Sequence, residues 1–405
     1  MTSPSRWLSI LGIGEDGVEG MTPTARALLG AAEVVYGGAR HLSLARGLIT
    51  GAAREWPSPL GAAFPDLLDL RPRPVAVLAS GDPYCYGIGA RLAQLVPAEE
   101  TLAVPAPSAF SLACARLGWS LPDTATVSLC GRKLATLIPH LQPGARVLVL
   151  SADGETPGAV ADLLRARGFG GSVLHVMEAL GGPRERVRHF LAADWLPGAI
   201  DPLNLLAIEV AAGEDALVLP LASGLPDDAF ENDGQLTKQE IRAVTLSALA
   251  PRLGELLWDV GAGSGSISIE WLLRHPANRA IAIERRAERA ARAARNAAAL
   301  GVPRLSVVEG AAPDALADLP RPDAAFIGGG VERPGVLETV WEALRPGGRI
   351  VVNAVTIQSE AVLFAACQRR GGTLRRLSVE RLDALGSMHA FRPAMTVTQW
   401  AASKR

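Results

Sequence analysis

Trp258-Asp259-Val260-Gly261-Ala262-Gly263-Ser264-Gly265-Ser266 is the stretch on which the reading of this chain turns. The apolar run Leu256–Val260 has the length and bounds of a buried strand, and Ser266–Arg274 carries helical spacing. Glycines at 261, 263 and 265 permit turns that a Cβ would block and let backbone approach a ligand closely. A strand that feeds a helix through such a loop is the ligand-binding turn of an open α/β sheet. Glu284 stands 25 positions after Asp259 and ends the next strand, where a carboxylate can accept both hydroxyls of a ribose. The loop reads G-x-G-x-G with an acid two residues before it, not G-x-G-x-x-G. That form suits a cofactor without pyrophosphate whose ammonium takes a carboxylate partner. S-adenosylmethionine fits it better than NAD.

Working outward from this loop, strands are expected at Leu256–Val260, Ala280–Glu284, Leu305–Glu309, Ala324–Ile327 and Arg349–Val352. Helices are expected at Ser266–Arg274, Ala287–Leu300, Pro334–Leu344 and Ser359–Arg370, with the runs Leu374–Val379 and Ala394–Trp400 closing the sheet. Thr237-Lys238-Gln239-Glu240 precedes an apolar helical run and reads as a capping box or as part of the site. Ile327-Gly328-Gly329-Gly330 lacks the Asn/Asp-Pro-Pro-aromatic element that amino-directed methyltransferases need, and leaves room for a large flat substrate. Asn353 ends the fifth strand, as a substrate contact or as a turn former. Arginines 285, 286, 289, 292 and 295 spread around one helix, which is the pattern of a solvated face and not of a nucleic-acid groove.

The N-terminal half alternates in the same way. Strands are expected at Trp7–Ile13, Val75–Ala79, Thr126–Leu129, Val147–Leu150, Val173–Met177 and Leu205–Val210, with helical spacing at Ala159–Arg167 and Arg184–Ala192. This predicts α/β layers with a largely parallel sheet. Three turn-rich loops, Gly12–Gly17, Ser80–Gly87 and Pro105–Phe110, follow successive strands and can wall one pocket. Asp82 is a cofactor anchor or an Asx turn before Pro83. The polar stretches Ser223–Asp228 and Glu231–Gly234 mark a composition shift. The expected division is a first domain over 1–211, a linker over 212–228 and a second domain over 229–405. The two glycine loops differ, so the halves are no duplication.

Composition excludes several classes. The chain has 405 residues, 49% apolar and 20% charged, an ordinary globular balance and not that of a disordered chain. Its 40 Lys+Arg nearly cancel 41 Asp+Glu, so no overall field attracts nucleic acid or an anionic membrane. Apolar runs fall short of the ~20 residues that span a bilayer. Four scattered Cys and six dispersed His show no metal-ligand spacing, and the thiols suit a reducing compartment. We therefore expect a soluble cytoplasmic protein with no metal, no nucleic acid and no membrane among its partners.

The motifs carry a resemblance over nearly the whole chain. Residues 7–211 resemble the tetrapyrrole (precorrin/cobalt-precorrin) methylase family through Gly12–Gly17, Val34-Val35-Tyr36-Gly37, Ser80–Gly87 and Glu178-Ala179-Leu180-Gly181. Residues 229–405 resemble the decarboxylating precorrin methyltransferases of the class I, Rossmann-like fold through Leu236–Arg242, Trp258–Gly265 and Phe326–Gly330. The fused order is that of the bifunctional precorrin methyltransferases of aerobic cobalamin synthesis. The resemblance implies methylation of a precorrin-6 macrocycle at C5 by the first domain. It implies decarboxylation of the C12 acetate and methylation at C15 by the second, giving precorrin-8, in a homo-oligomer.

It also implies two S-adenosylmethionine sites. The first takes Gly12, Ser80, Gly81, Asp82, Cys85, Ser108, Ala109 and the position of Cys130. The second takes Thr237, Gly261, Ala262, Gly263, Ser264, Gly265, Glu284 and Ala312, beside the Asp259 read above. Cys130 stands where relatives typically show His, and Ala311 and Ala312 where class I enzymes often place an Asp. A polycarboxylated substrate calls for cations, for which Lys238 and Arg242 are the nearest in sequence; surface ion pairing is the other reading of both. Methyl transfer needs alignment above all, and no catalytic acid or base stands out. The alternatives are an RNA methyltransferase, an NAD-dependent oxidoreductase and a non-enzymatic tetrapyrrole or nucleotide sensor.

Overall fold

Two compact units, each with its own buried clusters, make up the chain in the computed structural model, which describes residues 6–405. One unit runs up to Leu134 and resumes over His140–Leu217; the other comprises Ala135–Pro139 and Val218–Arg405. The expected first domain begins outside the described residues.

In the first unit, β1 (Leu8–Ile13), β2 (Val34–Gly37), β3 (Ala52–Glu55), β4 (Val75–Ser80) and β5 (Thr101–Val104) form a parallel sheet in the order β3-β2-β4-β1-β5. Residues Leu8, Ile10, Val75 and Val77 pack into one core, and Leu11, Ile13, Ala76 and Leu78 into another. A strand buried on both faces reads as a continuous apolar run, which is why β1 and β4 are legible. The second sheet has β6 (Ala125–Ser128), β7 (Arg146–Leu150), β8 (Val173–Glu178), β9 (Arg186–Leu191) and β10 (Asn204–Glu209) in the order β6-β7-β10-β8-β9.

Only β6 and β7 are parallel there; β10 opposes both β7 and β8, and β9 opposes β8. The expectation of a largely parallel sheet thus fails for this half of the unit. Residues 179–185 are too few for the crossover that a parallel β8–β9 pair requires. The stretch Arg184–Ala192, expected as a helix, is β9. Its arginines alternate, and Arg186 and Arg188 both reach the buried Glu178 carboxylate, at 2.7 and 3.1 Å. Burial pushes that carboxyl up, but the hydrogen bonds from Arg186, the Asp201 N–H and Arg188 prevail and hold it below the usual range.

The second unit is a seven-stranded sheet. Its strands are β11 (Leu256–Val260), β12 (Arg279–Glu284), β13 (Ser306–Glu309), β14 (Ala324–Ile327), β15 (Arg349–Ala354), β16 (Thr373–Leu377) and, past a hairpin, β19 (Val397–Ser403). The order is β13-β12-β11-β14-β15-β19-β16, with β19 antiparallel to both neighbours and the remaining pairs parallel. Trp258, Ile283, Ile327, Val352 and Trp400 centre its core. The strand order reverses between β12 and β14 on either side of β11, which places the 261–265 loop at the switch point where such folds bind ligands. The hairpin β17 (Glu380–Leu385) and β18 (Met388–Pro393), exposed throughout, was not expected from the sequence.

Two candidate active sites

The second unit's site is a cavity of about 520 Å³ at the carboxyl ends of β11, β12 and β14. Thr237, Lys238, Gly261, Ala262, Gly263, Ser264, Glu284, Ala312 and Asn353 all line it. Glu284, 5% exposed, accepts from the Gly263 N–H at 3.0 Å and from the Arg286 N–H at 2.9 Å. The carboxylate thereby ties the glycine loop to the next strand end while facing the cavity. Gly261 has φ +75° with the Gly329 backbone 3.1 Å from any Cβ placed there, so the two loops meet as closely as backbone allows. Asn353 donates to Thr245 Oγ1 at 2.9 Å and accepts from Gln399 Nε2 at 3.0 Å.

Three expected residues do not line this cavity. Asp259, 1% exposed, turns under the helix Ser266–Arg274, where Oδ2 accepts from the Ser268 N–H and hydroxyl at 3.0 and 2.7 Å. Among the described residues its Oδ1 is buried without a partner, and burial, with help from Glu284, pushes its pKa up to about 6 against the Ser268 bonds. Gly265 is the N-cap of that helix, where a Cβ would come 2.9 Å from Ala293 Cβ; it serves packing.

Arg242 is fully buried and pairs with the equally buried Glu270 at 2.5 Å, with Asp227 at 3.2 Å and with the Leu225 carbonyl. Glu270 in turn accepts from the Gly224 and Leu225 N–H groups at 2.7 and 2.9 Å. Arg242 therefore pins the 224–227 segment from within the core, away from the cavity wall. The capping box at Thr237 is not formed either. The helix starts at Gln239 with Lys238 as N-cap and no side-chain cap bond, one residue beyond the expected start.

Sequence reading named Lys238 but missed the arginines that line this cavity. Arg285, Arg289, Arg333 and Arg381 join Lys238 there. Arg289 pairs with Asp233 and Arg381 with Glu240, whereas Arg285 and Arg333 have no ion pair among the described residues. The arginine series on Ala287–Ala299 is not simply solvated: Arg292 is buried and pairs with Glu288, Asp233 and Glu231.

The first unit's cavity, about 420 Å³, is lined by Ser80, Gly81, Cys85, Ser108, Ala109 and Cys130. Gly81 has φ +57° and the Pro107 carbonyl oxygen 2.7 Å from a notional Cβ, so the 80s and 100s loops close on one another only with glycine. Gly12 and Asp82 are not on the wall. A Cβ on Gly12 would fall 2.0 Å from the Gly81 carbonyl oxygen, so Gly12 supports the wall from behind. Asp82 accepts from the Tyr84 N–H at 2.8 Å, an Asx turn. Cys130 Sγ donates to the Ser151 carbonyl at 3.2 Å. Glu15, Arg40 and His41 were missed although they follow β1 and β2, the strand ends at which ligands are expected.

Both cavities have the size of small-ligand sites, and both have walls that a single Cβ would obstruct. Family models name the class. Residues 8–195 match the tetrapyrrole (corrin/porphyrin) methylases and residues 228–404 match a precorrin methyltransferase domain. This is a two-domain methyltransferase of the tetrapyrrole type.

A curated relative from Sinorhizobium sp, "Precorrin-6Y C(5,15)-methyltransferase [decarboxylating]", is 55% identical over 99% of this chain and 97% of its own. The chain belongs to that family, as the motif resemblance implied. A "Probable cobalt-precorrin-6B C(15)-methyltransferase (decarboxylating)" from Pyrobaculum calidifontis is 40% identical over 34% of this chain and 72% of its own. A solved C-terminal domain of a precorrin-6Y C5,15-methyltransferase from Rhodobacter capsulatus is 46% identical, covers 46% of this chain and all of its own, and has a TM-score of 0.44.

Proposed function

We propose that this chain methylates precorrin-6Y at C5 and C15 with loss of one carboxyl group as carbon dioxide, using S-adenosylmethionine at two sites. The observation that carries the reading is one glycine-walled cavity in each of two units that match two different methyltransferase families. The cofactor supplies a sulfonium-bound methyl group. In the second unit Glu284, Gly261 and Gly263 would hold its nucleoside part, and in the first Gly81, Ser108 and Ala109. Ser80 Oγ is engaged by Arg40 and His41, which leaves main-chain groups at 80–81 for the cofactor.

In this reading C5 is methylated in the first unit, and decarboxylation with C15 methylation occurs in the second. The Pyrobaculum relative supports that division, since its name couples decarboxylation with C15 alone. Arg285 and Arg333, cavity cations without ion pairs, take the place of Arg242 as partners for substrate carboxylates. Asn353, held by Thr245 and Gln399, is a polar contact beside them. The protein acts as a homo-oligomer in the cytoplasm; the exposed Leu382 and Phe391 on one hairpin face and four free thiols support this. Among the described residues no helix is long and apolar enough to cross a membrane.

Mass spectrometry of precorrin-6Y incubated anaerobically with the full chain and S-adenosylmethionine tests the function. A gain of two methyl groups with loss of one carbon dioxide is expected. Gly81→Val should leave one methyl gained with the carbon dioxide lost, and Gly263→Val one methyl gained with it kept. No change in mass with folded protein would overturn the reading.

A further inference from the structure

The wall of the first unit's cavity carries a polar cluster that cofactor binding does not account for. Glu15, Arg40, His41 and Ser80 all line it. His41 Nε2 lies 2.8 Å from Ser80 Oγ and 3.0 Å from Arg40 Nη2, and the same Arg40 nitrogen donates to Ser80 Oγ at 2.8 Å. A guanidinium has five donors and no acceptor. The imidazole nitrogen that faces it therefore presents a lone pair, and the ring proton sits on Nδ1. Ser80 accepts from Arg40, and its own hydroxyl hydrogen shares the single Nε2 lone pair with the Arg40 N–H. A neutral imidazole beside a serine hydroxyl is the arrangement in which a base takes up the hydroxyl proton.

The remaining surroundings keep that imidazole neutral. Burial first, and then the Arg40 charge, lower the His41 pKa to about 4, with Glu15 acting in the opposite sense. Glu15 bonds both Arg40 and Arg184, and Arg184 also bonds Asp201. Two cations thus face two anions, but Arg40 lies nearest, 3.0 Å from Nε2, and the net effect favours the neutral ring. Nδ1 is buried without a partner among the described residues, so the polar contacts seen for the ring are those that Nε2 makes at the cavity.

We propose that Ser80 and His41 remove the proton that methylation at carbon must release in the first unit, Ser80 meeting the substrate and His41 acting through it. The proposal rests on the function given above. A methine carbon that has gained a methyl group carries both hydrogen and methyl, and the macrocycle carries the positive charge. The C–H bond then breaks, and its electron pair returns to the conjugated system. The proton passes to Ser80 Oγ as Ser80 yields its own to His41 Nε2, and the imidazolium gives it up to solvent. Nothing is oxidised or reduced. A cationic carbon acid is strong enough that a weakly basic imidazole serves, and a weak base is quickly free again. Ser80, exposed at the end of β4, is the catalytic residue; His41, set behind it, is the positioning residue.

The test uses the full chain with precorrin-6Y, unlabelled or deuterated at C5, and S-adenosylmethionine. His41→Ala and Ser80→Ala should slow methylation at C5 by roughly 10²-fold or more. Both should expose a primary deuterium isotope effect absent from the wild type, and imidazole added to the His41→Ala protein should restore part of the rate. S-adenosylhomocysteine affinity should stay within about twofold, and the methyl gain with carbon dioxide loss in the second unit should persist as an internal control. Unchanged C5 methylation in both variants overturns the proposal. So does slowing without an isotope effect and without imidazole rescue while cofactor affinity is kept, the signature of a packing role. Ser80→Ala removes one atom and keeps the test available should His41→Ala misfold. A wild type that yields no methylated product overturns the parent function and this inference with it.

Discussion

Gly81 shows how much one residue decides. Its φ of +57° and the Pro107 oxygen 2.7 Å from a notional Cβ exclude any side chain without moving a loop. Gly81→Ala should therefore abolish cofactor binding in the first unit while the second still binds, visible in calorimetry with S-adenosylhomocysteine. Asp259 makes a prediction about pH. Its carboxyl is raised on folding from 3.8 to about 6, so the folded protein holds this proton more tightly than the unfolded chain does. The associated stability is present below about pH 4 and is lost as pH rises through 6, an effect of about 3 kcal/mol. Relative to wild type, Asp259→Asn should gain thermal stability between pH 4 and 7; a difference that stays flat would show that Asp259 does not titrate there. Arg333, which has no ion pair among the described residues and lines the second cavity, should act on substrate alone. Arg333→Ala is expected to raise KM for precorrin-6Y several-fold and to leave S-adenosylhomocysteine affinity unchanged. The glycine loops and Glu284 were legible because their chemistry is local, whereas Asp259 and Asp82 bond their own neighbourhoods and not a cavity. Arg333 and Arg381 were not legible, because only the fold turns them toward a cavity.

Among elements, β9 and the helix Gln239–Leu249 show where local reading stops. The stretch 184–192 has a spacing that serves a helix or a strand, and the short 179–185 connection together with the Glu178 carboxylate selects the strand. Arg242 lies on the helix Gln239–Leu249 and read as a substrate cation or a surface ion-pair partner; Glu270, on the helix Ser266–Arg274, draws it into the core. Breaking a buried pair leaves an uncompensated charge, so Arg242→Ala should destabilise the second unit by about 3–5 kcal/mol, read from urea unfolding. Replacing both partners, Arg242→Met with Glu270→Leu, should recover much of that loss. If Arg242→Ala instead left stability intact and raised KM, the arginine would be a substrate residue after all.

For the molecule as a whole, the count of cofactor sites is the decisive quantity. Calorimetry should find two equivalents of S-adenosylhomocysteine per chain, and one in Gly81→Val or in Gly263→Val; a single equivalent in the wild type would remove one site. Sequence by itself determined that there are two α/β units, that each has a glycine loop at a strand end, and that the chain belongs with the precorrin methyltransferases. Those features are set by residues close together in the chain: apolar runs, glycines where a Cβ is forbidden, an acid one strand on from its loop. Tertiary structure alone decided which of the candidate residues face a cavity. Side chains a strand or a helix apart, such as His41 and Ser80 or Arg242 and Glu270, acquire their roles only when folding brings them within hydrogen-bond reach. Hydrogen bonding and desolvation act over a few ångströms of space, whatever the separation along the chain.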